Sequence, residues 1–340
     1  MSPALRSECL SLDWKVEEPR LAPTVDQGSV IMLESLEFEE IRRVTSAAAE
    51  SVIDLQGSLD KREIDAAAVK AMRNALNEMC VTGTVVIGEG QKDNAPMFMH
   101  GEKVGNLEGL EVDIAVDPID GTSLVAKGKV GAVSLIAFSP KNTMFNPEDN
   151  FYMLKLVTGY EAANKISLAR PLLENLHIIA EAKSKRLQDL VVTILRRPRH
   201  EKLALELQAL GIRVKFFDDG DVTAAISTCL PESQVDAMIG IGGSPEAVIS
   251  AAGIIALGGN IQCQIVSKRD IEFFTSNPLD PLNLPILTKY DLIHSNNVLI
   301  SITGVSENEL VKGILHIDGK LVSDTLIIGR LSKGPLMLRL

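Results

Sequence analysis

Glu111-Val-Asp-Ile-Ala-Val-Asp-Pro-Ile-Asp-Gly-Thr122 alternates in its first half. Val112, Ile114 and Val116 share one side, and Asp113 and Ala115 the other, the period of a β-strand. Pro118 cannot donate to a sheet ladder, so the strand is expected to stop there. Gly121 then permits a turn with unusual dihedrals. Asp117 and Asp120 flank the expected stop, and a turn can bring both carboxylates to one point. Carboxylates forced together repel unless a cation lies between them, and hard oxygen ligands suit Mg²⁺ or Mn²⁺. A plain Asp-Pro turn closing a strand would give the same letters. On this stretch alone both readings stand.

Working outward, 340 residues are enough for two domains or one large α/β domain. No apolar run reaches the roughly 18 uninterrupted residues of a membrane helix. The nearest, 237–257, holds Pro245 and Glu246. The formal charge of −11 argues against a nucleic-acid or anionic-membrane partner, which would need a basic face. An anionic substrate would need a local cationic pocket or a metal. The four cysteines, Cys9, Cys80, Cys229 and Cys263, form no CxxC pair and lack zinc-ligand spacing, so free thiols in a reducing compartment are expected. Residues 1–32 are broken by Pro3, Pro19 and Pro23; they lack the basic start and continuous apolar core of a secretory signal, and their acidic residues argue against a transit peptide. They read as a flexible extension, and the compartment as cytoplasm, with plastid stroma the alternative.

From Ser35 to Leu55 the residues Leu36, Ile41, Val44, Ala48, Val52 and Leu55 recur at helical spacing. A second helix is expected from about Asp65 to Met79, with Asp65 at or near its start, where an N-cap is the usual role. Thr84–Ile87 is a short apolar strand leading into Gly88-Glu89-Gly90, which on its own reads as a surface turn, followed by Asp93 in a polar loop. Val130–Phe138 and Phe151–Val157 are further strands. These elements make a mixed α+β first half, residues 33–165.

The second half, 166–340, alternates: strand Leu190–Leu195, helix His200–Leu210, strand Arg213–Phe217, helix Asp221–Cys229, strand Ala237–Ile241, helix Pro245–Leu257. Such a rhythm implies parallel strand pairs with helices on the faces, and binding loops at the carboxyl ends of the strands. Three features fall at those ends: Arg196, Arg197, Arg199 and His200; Asp219, Gly220 and Asp221; and the glycine-rich run Gly240–Glu246. An arginine pair can clamp phosphate through forked donors, and glycines before a helix leave amides for anions. Lys268–Tyr290, with Pro278, Pro281 and Pro285, reads as a connecting loop, Val298–Ile302 as a strand and Ile314–Ile328 as a hairpin turning at Asp318-Gly319.

Asp117-Pro118-Ile119-Asp120-Gly121-Thr122 resembles the signature of the lithium-sensitive, metal-dependent phosphatase superfamily. Within it the chain resembles the class II (GlpX-type) fructose-1,6-bisphosphatases, including the cyanobacterial fructose-1,6/sedoheptulose-1,7-bisphosphatases. The likeness runs from about Phe38 to Gly329. It includes Val85-Val86-Ile87-Gly88-Glu89-Gly90, Arg197-Pro198-Arg199-His200, Asp219-Gly220-Asp221-Val222 and Gly240-Ile241-Gly242-Gly243-Ser244-Pro245-Glu246. The Arg-Pro-Arg-His and Asp-Gly-Asp blocks set it apart from inositol-phosphate phosphatases.

The resemblance implies an α/β fold of the sugar-phosphatase type, a layered αβαβα sandwich, and hydrolysis of the 1-phosphate of fructose 1,6-bisphosphate. Sedoheptulose 1,7-bisphosphate, alone or in addition, is the neighbouring possibility, and a catalytically silent sugar-phosphate-binding protein the remote one. By position it implies Asp65, Glu89, Asp117, Asp120 and Glu246 as ligands of two or more Mn²⁺ or Mg²⁺ ions. Substrate contacts would be Asp120, Gly121, Thr122, Tyr152, Arg197, Pro198, Arg199, Asp219, Gly220, Asp221 and Gly243. Asp93 and Thr122 would be catalytic, Asp93 acting on a water through a hydrogen bond to Thr122. The partner would be the sugar bisphosphate, with no nucleic acid and no membrane, and the chain a homo-oligomer, dimer or tetramer. Three departures stand out: Leu59 where glycine is usual, Asp120 where this class often has Glu, and a shorter chain after Lys268 with a helix missing around Phe273–Leu287.

Overall fold

The computed structural model of the chain describes residues 33–88, 97–148 and 150–340. In chain order they form α1 (Phe38–Ser51), α2 (Lys61–Asn77), β1 (Val81–Ile87), β2 (Lys103–Val104), β3 (Leu110–Asp120), α3 (Thr122–Ala126), β4 (Val133–Pro140) and β5 (Tyr152–Thr158). Next come α4 (Leu172–Ala182), β6 (Val191–Leu195), α5 (Glu201–Ala209), β7 (Arg213–Phe217), α6 (Asp221–Ser227), β8 (Ala237–Gly243), α7 (Ser244–Ala256), β9 (Asn260–Ile265) and α8 (Lys268–Ser276). Then follow β10 (Leu287–Thr288), α9 (Lys289–Leu292), β11 (Val298–Gly304), β12 (Leu315–Ile317), β13 (Lys320–Val322), β14 (Thr325–Leu331) and β15 (Gly334–Arg339). The mixed α/β class expected from the sequence is what the chain adopts.

The chain divides into two compact units, Met1–Pro140 with Asn297–Leu340, and Lys141–Asn296. The first holds a seven-stranded sheet in the order β15-β14-β11-β4-β3-β1-β2. Only β1 and β3 run parallel; the other pairs are antiparallel. Ile41, Val44 and Ala48 of α1 and Ile64, Val69, Met72 and Leu76 of α2 are buried in one core with Val112, Ile114 and Val116 of β3 and Ile136 and Phe138 of β4. The side of β3 that alternation assigns to the core is therefore the side the helices cover. Asp60 caps α2, its carboxylate accepting from the Glu63 amide at 3.1 Å. Asp65 lies in the second turn and is not the cap.

Pro118 does not end β3. The strand continues to Asp120 through a bulge: Asp117 pairs with Leu135 and Asp120 with Val133, so Pro118 and Ile119 stand against Ser134 alone. The missing amide of proline falls where the ladder is already interrupted, one of the places a sheet tolerates it. β1 has stopped pairing with β3 at Ala115, so no neighbour on that side asks Pro118 for a donor.

Leu59 has φ 64° and is 76% exposed, with its amide donating to the Ala126 carbonyl at 3.0 Å. A side chain in this left-handed region is disfavoured by about 1–2 kcal/mol, and here it packs on little in return. Leu59→Gly is expected to raise the urea midpoint of the first unit, by a net gain of about 1 kcal/mol after glycine's greater unfolded-state entropy. A lower midpoint would show that the leucine side chain contributes packing.

The second unit holds a six-stranded sheet in the order β10-β9-β5-β8-β6-β7. β6 runs parallel to both β7 and β8, as the alternating strands and helices predict. Leu172, Leu176 and Ile179 of α4 and Leu203 and Leu207 of α5 pack with Val192, Ile194 and Ile239 in its core. α7 is buried along nearly its whole length. β5, which the sequence groups with the first half, sits inside this sheet between β8 and β9. Conversely β11, β14 and β15, read with the second half, belong to the first sheet. The expected loop after Lys268 begins with α8, a helix started by a capping box in which Ser267 and Asp270 bond reciprocally. The hairpin does turn at Asp318-Gly319, both with positive φ, but joins only β12 to β13.

Candidate active site

In the first unit the phosphatase-like motif straddles the bulge of β3 and the start of α3. Gly121 has φ 101°, and a Cβ there would stand 3.1 Å from Leu124 Cδ1 and 3.3 Å from the Ala132 backbone, so only glycine fits. Thr122 follows it directly. Its hydroxyl donates to Asp65 Oδ1 at 2.7 Å and lies 3.1 Å from the Ile119 carbonyl. The motif and α2 thus meet through Thr122 and Asp65, residues 57 apart in the chain. The expected partner of Thr122, Asp93, and the expected ligand Glu89 lie outside the described residues.

Asp120 is buried and Asp117 half-buried. Both carboxylates have interactions elsewhere, while Asp117 Oδ1 and Asp120 Oδ2 are buried and receive no hydrogen bond from the described residues. Among the described residues no three His, Cys, Asp or Glu side chains are close enough to enclose an ion. Asp65, Asp117 and Asp120 nevertheless supply hard oxygen donors only, a set whose chemistry fits Mg²⁺ or Mn²⁺ and not zinc or copper.

In the second unit the strand-end features come together. β6, β7 and β8 are parallel, so their carboxyl ends share one edge of the sheet. β5 is antiparallel to β8 and brings its amino end there too, Tyr152 pairing with Gly243. Arg199 Nε and Nη2 donate to the Ile241 carbonyl at 3.1 and 2.6 Å, and its guanidinium lies 5.4 Å from the centre of the Tyr152 ring. Burial holds its pKa below the usual arginine value. Arg197 Nη1 donates to the carbonyls of Asp218 and Arg196 at 2.8 and 2.9 Å. Arg196 is instead turned to Asp218, 2.9 Å from its carboxylate, and stacks on Phe216. Pro198 opens a short 3-10 turn, Pro198–His200, that aims the two flanking arginines. Gly220, with φ 93°, turns the chain from β7 into α6 and sets half-buried Asp219 and buried Asp221 on either side.

His200 is a strut and not a ligand. Its Nδ1–H donates to the Leu195 carbonyl at 2.7 Å and its Nε2 accepts the Ile241 amide at 2.8 Å. That pair of bonds fixes the neutral tautomer and ties β6 to β8. Burial pushes its pKa down to about 4.

The glycines of β8 make room, one by one, for neighbouring side chains. A Cβ on Gly240 would meet the His200 ring at 3.0 Å, one on Gly242 would fall 2.0 Å from Asp221 Oδ2, and one on Gly243 would fall 1.9 Å from Glu246 Oε2. The glycine run was expected to expose amides to an anion; what the structure demonstrates is close packing of carboxylates onto the strand.

Lys155 is the residue that sequence reasoning missed. It stands in mid-β5, 1% exposed, and its ammonium is 2.8 Å from Asp221 Oδ2. Burial opposes its charge, but Asp221 first and Glu246 next hold its pKa above the ordinary lysine value. The available signal was a lysine between leucines in an otherwise apolar strand, Leu154-Lys155-Leu156.

Comparison with known proteins follows the same lines. The family model described as "Bacterial fructose-1,6-bisphosphatase, glpX-encoded" matches residues 35–335. The "Fructose-1,6-bisphosphatase 1 class 2" of Escherichia coli (strain K12) is 41% identical over 302 residues, covering 85% of this chain and 90% of that protein. The class 2 enzyme of Shigella flexneri matches with the same figures. A solved inositol monophosphatase from Anabaena (Nostoc) sp. PCC 7120 covers 72% of this chain and 96% of its own at 12% identity, with a TM-score of 0.31, too low to bear on the fold.

Proposed function

Because the chain belongs to the bacterial, glpX-encoded fructose-1,6-bisphosphatase family, we infer that it hydrolyses the 1-phosphate of fructose 1,6-bisphosphate, giving fructose 6-phosphate and phosphate. The observation that carries this beyond family membership is the single sheet edge of the second unit. There Tyr152, Arg197, Arg199, Asp219, Asp221 and Gly243 are gathered from four strands by parallel and antiparallel pairing.

The enzyme is a metal-dependent phosphatase. Divalent ions, when bound, neutralise the transferring phosphoryl group and acidify a water. Asp65, Asp117 and Asp120, with Glu89, would hold them, and Mn²⁺ or Mg²⁺ are the ions of choice. Thr122, whose hydroxyl proton is committed to Asp65, offers its oxygen lone pairs to the attacking water, and Asp93 is the base that removes the proton. Arg197 and Arg199 hold the phosphate that does not react. Both are anchored through backbone carbonyls, so their planar forks are already oriented when the substrate arrives. Asp219 and Asp221 accept from sugar hydroxyls, and Tyr152 donates to a phosphate. The same reading gives a homo-oligomer of the cytoplasm. No helix among the described residues is long and apolar enough to cross a membrane. Nothing observed favours sedoheptulose bisphosphatase activity or a silent binding protein.

Phosphate release from fructose 1,6-bisphosphate, sedoheptulose 1,7-bisphosphate and inositol 1-phosphate, each with Mg²⁺ and with Mn²⁺, tests the assignment. Fructose 1,6-bisphosphate is expected to show the highest kcat/KM, the product to be fructose 6-phosphate, and chelation to stop the reaction. No release with either metal, or a clear preference for another substrate, would overturn it.

A further inference from the structure

We propose that Lys155 is a positioning residue for the sugar-phosphate site, holding Asp221 in place through a buried ion pair. The inference rests on the reading that this sheet edge binds the sugar bisphosphate.

The geometry carries it. Lys155 is directly opposite Gly240 in β8 and Cys263 in β9, so β5 is hemmed in on both sides at that position. Its side chain, 1% exposed, does not reach the surface. A lysine in mid-sheet is costly unless it has a fixed partner. Here the partner is Asp221, 2.8 Å away and 66 residues on. Space for the pair is cut into β8: a Cβ on Gly242 would stand 2.0 Å from Asp221 Oδ2 and 3.1 Å from Lys155 Nζ. One glycine therefore serves both partners. Removing the ammonium would leave Asp221 buried without its counter-charge, and the carboxylate would turn away or take up a proton. Either outcome costs its alignment toward a sugar hydroxyl. Lys155 itself, enclosed at this depth, has no need to touch substrate.

The test compares Lys155→Met, Asp221→Asn and the double variant K155M/D221N with the parent protein, at saturating Mn²⁺. Phosphate release from fructose 1,6-bisphosphate gives kcat and KM, and thermal unfolding gives stability. Lys155→Met should raise KM by about tenfold and lower kcat by no more than about threefold, the mark of a lost binding alignment. Asp221→Asn should raise KM similarly, and the double variant should be little worse than either single, since the two act as a unit. The double variant should also recover most of the melting temperature that Lys155→Met loses, because no uncompensated buried charge is left. If Lys155→Met does not fold, Lys155→Gln, which also lacks the charge but keeps Asp221, decides in its place: KM raised supports the proposal, and parent KM overturns it. A Lys155→Met protein that is less stable but keeps the parent KM would make the lysine merely structural and overturn it as well. Failure of the parent to release phosphate would instead overturn the substrate assignment, a different outcome.

Discussion

Asp117→Asn should lower kcat for fructose 1,6-bisphosphate by about a thousandfold, because a metal's stabilisation of the transferring group is worth several kcal/mol and each 1.36 kcal/mol is about tenfold. The substitution keeps size and shape and removes one negative charge beside the bulge that also presents Asp120. The melting temperature should therefore hold or rise slightly, since fewer like charges crowd the end of β3. Calorimetric titration of the substrate-free protein with Mn²⁺ should show weakened binding alongside the lost turnover. Near-parent turnover at ordinary Mn²⁺ concentration would remove Asp117 from the metal site. Loss of turnover with parent Mn²⁺ affinity would move it to another role.

His200 carries the second large effect. His200→Ala would strand the Leu195 carbonyl and the Ile241 amide in the core and open space beside Gly240, at a cost of about 2–4 kcal/mol at neutral pH. The pH dependence has a definite sign. The folded pKa, about 4, lies below the ordinary 6.5. The neutral ring's contribution is whole above pH 6.5, and it is lost as pH falls toward 4, because the unfolded chain takes a proton the folded one refuses. Integrated over that interval, the loss is about 3 kcal/mol. The gap in unfolding free energy between parent and His200→Ala, measured by urea from pH 7.5 to 4.5, should accordingly narrow as the solution is acidified. A constant gap would mean that the imidazole is not held neutral by these two bonds.

Much of this was legible in the sequence, because the signals are local. The alternation of Val112, Ile114 and Val116, the helical spacing of Ile41, Val44 and Ala48, and the order of strands and helices from 191 to 256 each depend on neighbours within a turn or two. The strand-end rule gathers Arg197, Arg199, Asp219 and Asp221 at one edge from the sequence alone. What escaped was long-range. Pro118 looked like a stop because a bulge depends on the partner strand. Lys155 was passed over because a charged residue in a strand usually faces water; its counter-charge on α6 appears only when β5 lies beside β8. α8 was lost behind the prolines that follow it, although Ser267 and Asp270 carried a capping signal. α4 and β9 were not read at all. The exchange of strands between halves could not be seen either, since Leu299 pairs with Phe138 across the whole of the second unit.

That last pairing bears on how the protein is made. β4 is buried at every position and is flanked by β3 and β11. A ribosome delivers β3 and β4 early, then spins out residues 141–296, and only afterwards β11. Throughout that interval β4 is an open, apolar edge, the kind of strand that recruits other chains. The second unit, contiguous from Lys141 to Asn296, can complete its own sheet during the wait. At elongation speeds of about 5–20 residues per second the exposure lasts on the order of ten seconds or more. Chains cut short before Val298 would keep that edge permanently, so truncation at this point is a route to aggregation and not to a smaller working enzyme.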